Sequence, residues 1–133
     1  MVRATIMPMT QAQRVRKNPT FWKSTAIAAR GFALVFMNEP KIRLAYVVAV
    51  IFVALAIWVK ASYLETLFIL VAWTQVIVGE IFNTSLEKAM DYASGKEFHP
   101  LIKRGKDYAA ASVFVLSVLA SAVTLVILST RYF

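Results

Sequence analysis

A chain of 133 residues that is 59% hydrophobic is too apolar for a water-soluble domain of this size, whose apolar share is usually about 45–50%. It contains no cysteine, which excludes a disulfide framework and a thiolate metal site. The net charge of +8 would suggest nucleic acid in a soluble protein. Here the cations flank apolar segments, so retention of loops inside the cell and contact with anionic lipid account for them, and no nucleic-acid partner is expected.

The chain reads as an all-α integral membrane protein. Residues 1–18 are basic and carry Pro8; they lack the apolar core and small-residue cleavage site of a signal peptide and are expected to form a flexible cytoplasmic extension. The membrane domain then occupies residues 19–133. Its first element, residues 19–36, mixes Phe21, Trp22, Ile27, Phe32 and Phe36 with Lys23 and Arg30. That composition suits an amphipathic surface helix, with aromatics at the acyl boundary and cations among headgroups.

Three apolar segments follow, at about residues 44–60, 64–82 and 109–128, against about 20 residues needed for a bilayer core. The first is short and must borrow flanking residues or sit in thinned membrane. The segment through Arg43 holds eight Lys and Arg, the link 60–63 one, and the link 83–108 five. The positive-inside rule therefore puts the N-terminus and the second link in the cytoplasm and the C-terminus outside. The third span carries Ala109, Ala110, Ala111, Ser112, Ser117, Ala120, Ser121 and Ala122, small side chains that favour close helix packing. Three helices of this length enclose little space, so a homo-oligomer is expected.

Glu80, Asn83, Glu87 and Asp91 run out of the second span. At about 100° per residue they fall within roughly 80° of arc, on one helix face. A carboxylate at membrane depth costs about 2.5–3.5 kcal/mol on insertion scales, so Glu80 implies a partner or a task. Taken alone, Glu87 and Asp91 also fit a solvated helix face with Lys88. Glu39 before Pro40 fits a turn residue, and Lys103 and Arg104 meet the positive-inside rule.

The stretch GEIFNTSLEKAMDYASGKEFHPLIKRGKDYAAASV, from Gly79 to Val113, resembles the signature of the prokaryotic diacylglycerol kinase family, which includes undecaprenol kinases. Glu80, Asn83, Thr84, Glu87, Asp91, His99, Lys106 and Asp107 occur in the family's order, and Gly31, Glu39 and Arg43 match its first helix and turn. The chain departs at Ile27, where members often carry Tyr, and at Ala45, where they often carry His or Glu. The resemblance implies an ATP- and Mg²⁺-dependent lipid kinase of the inner cell membrane, a homo-oligomer and by family a trimer, with its active site in the cytoplasm. It implies Glu80 as catalytic base and Glu39 and Glu87 as metal ligands. The ATP contacts it implies are Glu39, Glu87, Glu97, Phe98, His99, Lys106 and Asp107. Asn83 would orient the base or the hydroxyl, and Ala28, Gly31, Phe32 and Ala110 would meet lipid. Diacylglycerol is the implied acceptor, with undecaprenol as the alternative. An oligomeric ion channel that uses Glu80, and a non-catalytic assembly protein, are the readings outside the family.

The chemistry is consistent with that resemblance. No Gly-rich phosphate loop is present, with only four glycines in the chain, so a metal and cations must neutralise phosphate.

Overall fold

The computed structural model describes residues 20–95 and 97–132. The expected extension over residues 1–18, and Pro19, lie outside them. The described residues form four helices, α1 (Phe21–Asn38), α2 (Pro40–Trp58), α3 (Tyr63–Ala93) and α4 (Pro100–Tyr132). Helices α2, α3 and α4 are long and apolar enough to cross a membrane, preceded by the non-spanning α1. This is an all-α, multi-pass membrane protein.

The described chain divides between Leu34 and Val35 into two units. In the first, α1 buries none of its residues, and Phe21 lies edge-on to Trp22 with ring centroids 5.5 Å apart. The second unit holds the last turn of α1 and the three-helix bundle.

Proline chemistry and capping set the helix ends. Pro40 occupies the first turn of α2, leaving Glu39 extended at φ −112° and ψ 103°, because a residue before proline is pushed out of the helical region. The Arg43 guanidinium donates to the Met37 carbonyl at 2.7 Å, capping the last turn of α1. The basic member of the acid-x-x-x-basic turn thus serves the backbone. Helix α2 starts four residues before the expected span and ends at Trp58, which gives it 19 residues, or about 28 Å at 1.5 Å each. It closes in a Schellman motif: Lys60 N–H donates to the Ile57 carbonyl at 3.0 Å and Ala61 N–H to that of Ala56 at 2.9 Å. Lys60 there is left-handed, with φ 55°.

Helix α3 opens with a capping box. The Ser62 hydroxyl accepts from Glu65 N–H at 3.3 Å, and the Glu65 carboxylate accepts from Ser62 N–H at 2.6 Å. Glu65 also pairs with Arg131 near the end of α4, 2.6 Å away. Helix α3 ends at Ala93 with Ser94 as its cap, and Gly95 follows with a φ of 60° that suits glycine. Helices α3 and α4 have 31 and 33 residues, about 46 and 50 Å, against a hydrocarbon core of about 30 Å. Both extend well past the expected spans, because polar sequence with good caps continues a helix as readily as apolar sequence does.

The core runs along α3. Trp73 touches both neighbours: its ring stacks on Phe52 of α2, with centroids 5.1 Å apart, and its Nε1 donates to Thr124 Oγ1 of α4 at 3.0 Å. Thr124 in turn donates to the Ala120 carbonyl at 2.8 Å. Such bonds satisfy polar groups where hydrocarbon offers no partner. Helix α2 presents Ile42, Ala49 and Ala56, each seven residues apart, and α4 presents Ala109, Val113, Ala120 and Thr124. Of the small residues expected to pack, Ala109 and Ala120 are buried, whereas Ala110, Ala111, Ser112 and Ala122 are exposed.

A non-glycine residue in the left-handed region costs about 1–2 kcal/mol. Lys60→Gly is therefore expected to raise the thermal midpoint of the detergent-solubilised protein by a few degrees; a lower midpoint would show that Lys60 makes compensating contacts.

Candidate active site

The inward stripe of α3 does not stop where the apolar sequence stops. Ile69, Trp73 and Val76 are buried; Glu80, Asn83 and Glu87 continue the same alternation of three and four residues and are half-buried, buried and half-buried. Acid and amide groups thus take over positions that core residues hold one or two turns earlier. Gly79 and Lys88 lie about 180° apart around α3. A Cβ on Gly79 would come within 2.8 Å of Leu116 and 3.7 Å of Val113, both on α4. Lys88 instead meets Glu39 at the start of α2. Glu80 and Glu87 fall on the face between those two contact lines.

Asn83 is only 5% exposed, and its Oδ1 has no hydrogen-bond partner, an uncommon condition for a buried acceptor. No hydrogen bond or ion pair joins Glu80 to another side chain among the described residues. This short reach of α3 therefore holds one free acceptor and one free carboxylate.

Beyond the apolar residues 64–82, charged groups tie the helix ends together. Lys106 pairs with Asp91 across α3 and α4, and Lys103 pairs with Asp107 one turn along α4 at 3.0 Å. Lys106 and Asp107, adjacent in sequence, thus serve different partners. A Cβ on Gly105 would meet the end of the Met90 side chain at 2.6 Å, so the two helices stay in contact here as well. The His99 Nδ1 accepts from Leu101 N–H at 3.3 Å and its carbonyl accepts from Lys103 N–H at 3.0 Å, so in this state His99 caps α4 ahead of Pro100.

These groups line a pocket of about 550 Å³ formed by Asp91, Ser94, Glu97, Phe98, His99, Ile102, Lys103 and Lys106, within the range of about 300–1,000 Å³ usual for small-molecule sites. Lys103, which charge counting assigned to topology alone, lies in its wall. Its position follows from α4 beginning at Pro100, which puts residues 99, 102, 103 and 106 on one face. Asp107 is exposed and does not line the pocket.

Glu39 is drawn to α3 by Lys88, with 2.9 Å between Oε1 and Nζ. The hydrogen bond that Lys88 donates to Glu39, and that carboxylate's charge, hold the ammonium above the ordinary lysine range; Glu87 and Asp91 add to the same field. Among the described residues no three acid or imidazole groups converge as a metal cage. Magnesium needs none, since it commonly takes one or two carboxylates and completes its shell with phosphate oxygens and water. A partly shielded Glu39 held beside the residue next to Glu87 fits that donor set. Of the expected lipid contacts, Ala28, Gly31, Phe32 and Ala110 are all exposed, and a Cβ on Gly31 would meet nothing within 4 Å.

Three membrane-length helices with an acid face and a lysine-lined pocket define a multi-pass membrane protein with a charged pocket beyond the apolar residues of α3. Residues 26–128 match the prokaryotic diacylglycerol kinase family. A diacylglycerol kinase of Helicobacter pylori (strain ATCC 700392 / 26695) is 34% identical over 95 residues, covering 71% of this chain and 73% of that protein. The diacylglycerol kinase of Escherichia coli (strain K12) is 26% identical over 98 residues, covering 74% of this chain and 80% of the relative. The chain belongs to the prokaryotic diacylglycerol kinase family, which assigns it phosphotransferase activity in general terms.

Asn83→Leu removes a buried acceptor that has no partner, a situation costing about 1–3 kcal/mol. Its thermal midpoint in detergent is expected to match or exceed that of the wild type; a clear fall would show that Oδ1 is satisfied in the folded protein.

Proposed function

We propose that this protein is a lipid kinase that transfers the γ-phosphoryl group of ATP to a hydroxyl of a membrane lipid, diacylglycerol giving phosphatidic acid. The observation that carries this reading is the continuation of the α3 core stripe into Glu80 and Asn83. Among the described residues neither the Glu80 carboxylate nor Asn83 Oδ1 has a partner, and both lie on the helix that borders the pocket containing Lys103 and Lys106.

In this mechanism the nucleotide occupies the pocket, with its phosphates toward Lys106 and Lys103 and its remainder along Glu97, Phe98 and His99. Asp107, held by Lys103, serves the nucleotide from the pocket's edge. Glu39 and Glu87 hold magnesium, which when bound neutralises phosphate charge. The lipid hydroxyl rests against Glu80, oriented by Asn83. Its oxygen attacks the γ-phosphorus, the bond to the β–γ bridging oxygen breaks, the hydroxyl proton passes to Glu80, and ADP leaves with the displaced oxygen. Positioning and charge stabilisation supply most of the acceleration, because phosphoryl transfer asks little covalent work of the protein.

The cations of the segment through Arg43 and of the link 83–108 support a cytoplasmic site facing the cell's ATP. The exposed residues Ala28, Gly31, Phe32 and Ala110 are assigned to lipid contact. A homotrimer, the assembly the family resemblance implies, would give the exposed α3 and α4 faces a partner. Undecaprenol is the second acceptor to test, on the strength of His99, Pro100 and Leu101 before Lys103.

Transfer of labelled γ-phosphate to diacylglycerol and to undecaprenol, side by side in mixed micelles with magnesium, tests this reading. Wild type is expected to label diacylglycerol, and Glu80→Gln to lower turnover by about 10²-fold or more, in the range that general-base catalysis contributes, with ATP binding retained. Labelling of undecaprenol alone would replace the acceptor. Equal turnover by the variant would remove Glu80 as base, and no labelling by a folded oligomer would favour the channel or assembly reading.

A further inference from the structure

A cation already stands against Glu39, one of the two acids proposed to hold the metal. The Lys88 ammonium lies 2.9 Å from Glu39 Oε1 and in the field of Glu87 and Asp91 as well. The pair is asymmetric. The Glu39 side chain is 21% exposed, whereas that of Lys88 is 70% exposed. Glu39 is also fixed by its backbone, since Pro40 keeps it extended at the α1–α2 break and its N–H and carbonyl are bonded to Val35 and Arg43. The carboxylate is therefore the stationary partner, and the lysine, on a flexible four-carbon stem, is the one free to leave.

Lys88 also differs from the other paired lysines of this end. Lys106 holds Asp91 across the helix seam and Lys103 holds Asp107 within α4, and both line the pocket. Lys88 lines no part of it. Its partner Glu39 stands at the start of α2, so the ion pair couples the start of α2 to the acid face of α3.

We propose that Lys88 is a positioning residue for the metal site: its ammonium stands in for the divalent cation on Glu39, keeps that carboxylate beside the acid face of α3, and is displaced when the metal arrives. The inference rests on the metal role assigned to Glu39 under the proposed function. Lys88 thereby competes with the metal, so the metal-free enzyme holds its site assembled at the expense of affinity for the bare cation. Once displaced, the ammonium has a long exposed stem and no further claim on Glu39.

The test is Mn²⁺ binding to the detergent-solubilised full chain without nucleotide, followed by the electron paramagnetic resonance signal of free Mn²⁺. Lys88→Met is expected to tighten Mn²⁺ binding roughly two- to fivefold, the scale of an exposed ion pair. Lys88→Arg, which keeps the charge, should bind as the wild type does, and Glu39→Gln should weaken binding in either background. If Lys88→Met binds Mn²⁺ no tighter while Glu39→Gln weakens it, the competition is refuted and the metal role of Glu39 stands. If Glu39→Gln leaves binding unchanged, the metal role fails and the role of Lys88 falls with it. Lys88→Gln is the second variant and carries the same expectation, and the thermal midpoints of all variants confirm that folded protein is being compared.

Discussion

The seam between α3 and α4 holds the rest of the molecule in place. Water drives apolar helices together in soluble proteins, but lipid does not, so close packing and hydrogen bonds across the interface must supply the association. Both are present along the whole length. Glu65 meets Arg131 at one end, Trp73 donates to Thr124 in the middle, Gly79 lets α4 approach through Leu116, and Gly105 accepts the end of Met90 near the other end. Each step forward along α3 meets a step back along α4. The Asp91–Lys106 pair then locks the seam beyond the apolar residues, so the position of the pocket is fixed by contacts that begin deep in the bundle.

Helix α2 completes the arrangement from another direction. Its alanines at positions 49 and 56 and its Phe52 pack with Trp73 and its neighbours in one core, while its contact with α4 is sparse. Helix α3 therefore serves as the shared wall, and its inward stripe is the one surface that both neighbours approach. Glu80, Asn83 and Glu87 continue that stripe, half-buried, buried and half-buried. The same stripe that stabilises the bundle through Ile69, Trp73 and Val76 thus carries the acid and amide groups of the proposed site further along the helix.

Much of this was readable from one-dimensional pattern. The shared face of Glu80, Asn83, Glu87 and Asp91 follows from helical periodicity, the three spanning helices from apolar length, and the family from the order of the motif. What could not be read were pairings between distant residues. Lys88 with Glu39, Lys106 with Asp91 and Glu65 with Arg131 depend on the register between helices, which no local spacing encodes. Helix ends differ from span ends for a related reason: apolar length reports where hydrocarbon lies, whereas Pro40, Ser62, Gly95 and Pro100 decide where helices begin and end. Arg43 belonged to the expected acid-x-x-x-basic turn, yet the α1 carbonyls are its partner because the break at Glu39 leaves them open.

The charges at this end of the bundle form two groups, Glu39 with Lys88 on the α2 side and Asp91, Lys103, Lys106 and Asp107 on the α4 side, with Glu80 and Glu87 between them. In the proposed reaction the first group holds the metal, the second the nucleotide, and Glu80 the lipid hydroxyl. The most direct test of that division is a crystal structure with Mn²⁺ and a non-hydrolysable ATP analogue, with the metal located by its anomalous scattering. The account predicts an anomalous peak coordinated by Glu39 and Glu87, with the terminal phosphate pointing toward Glu80 and the nucleotide against Lys106. A metal held elsewhere, or a nucleotide outside the Lys103 and Lys106 pocket, would contradict it.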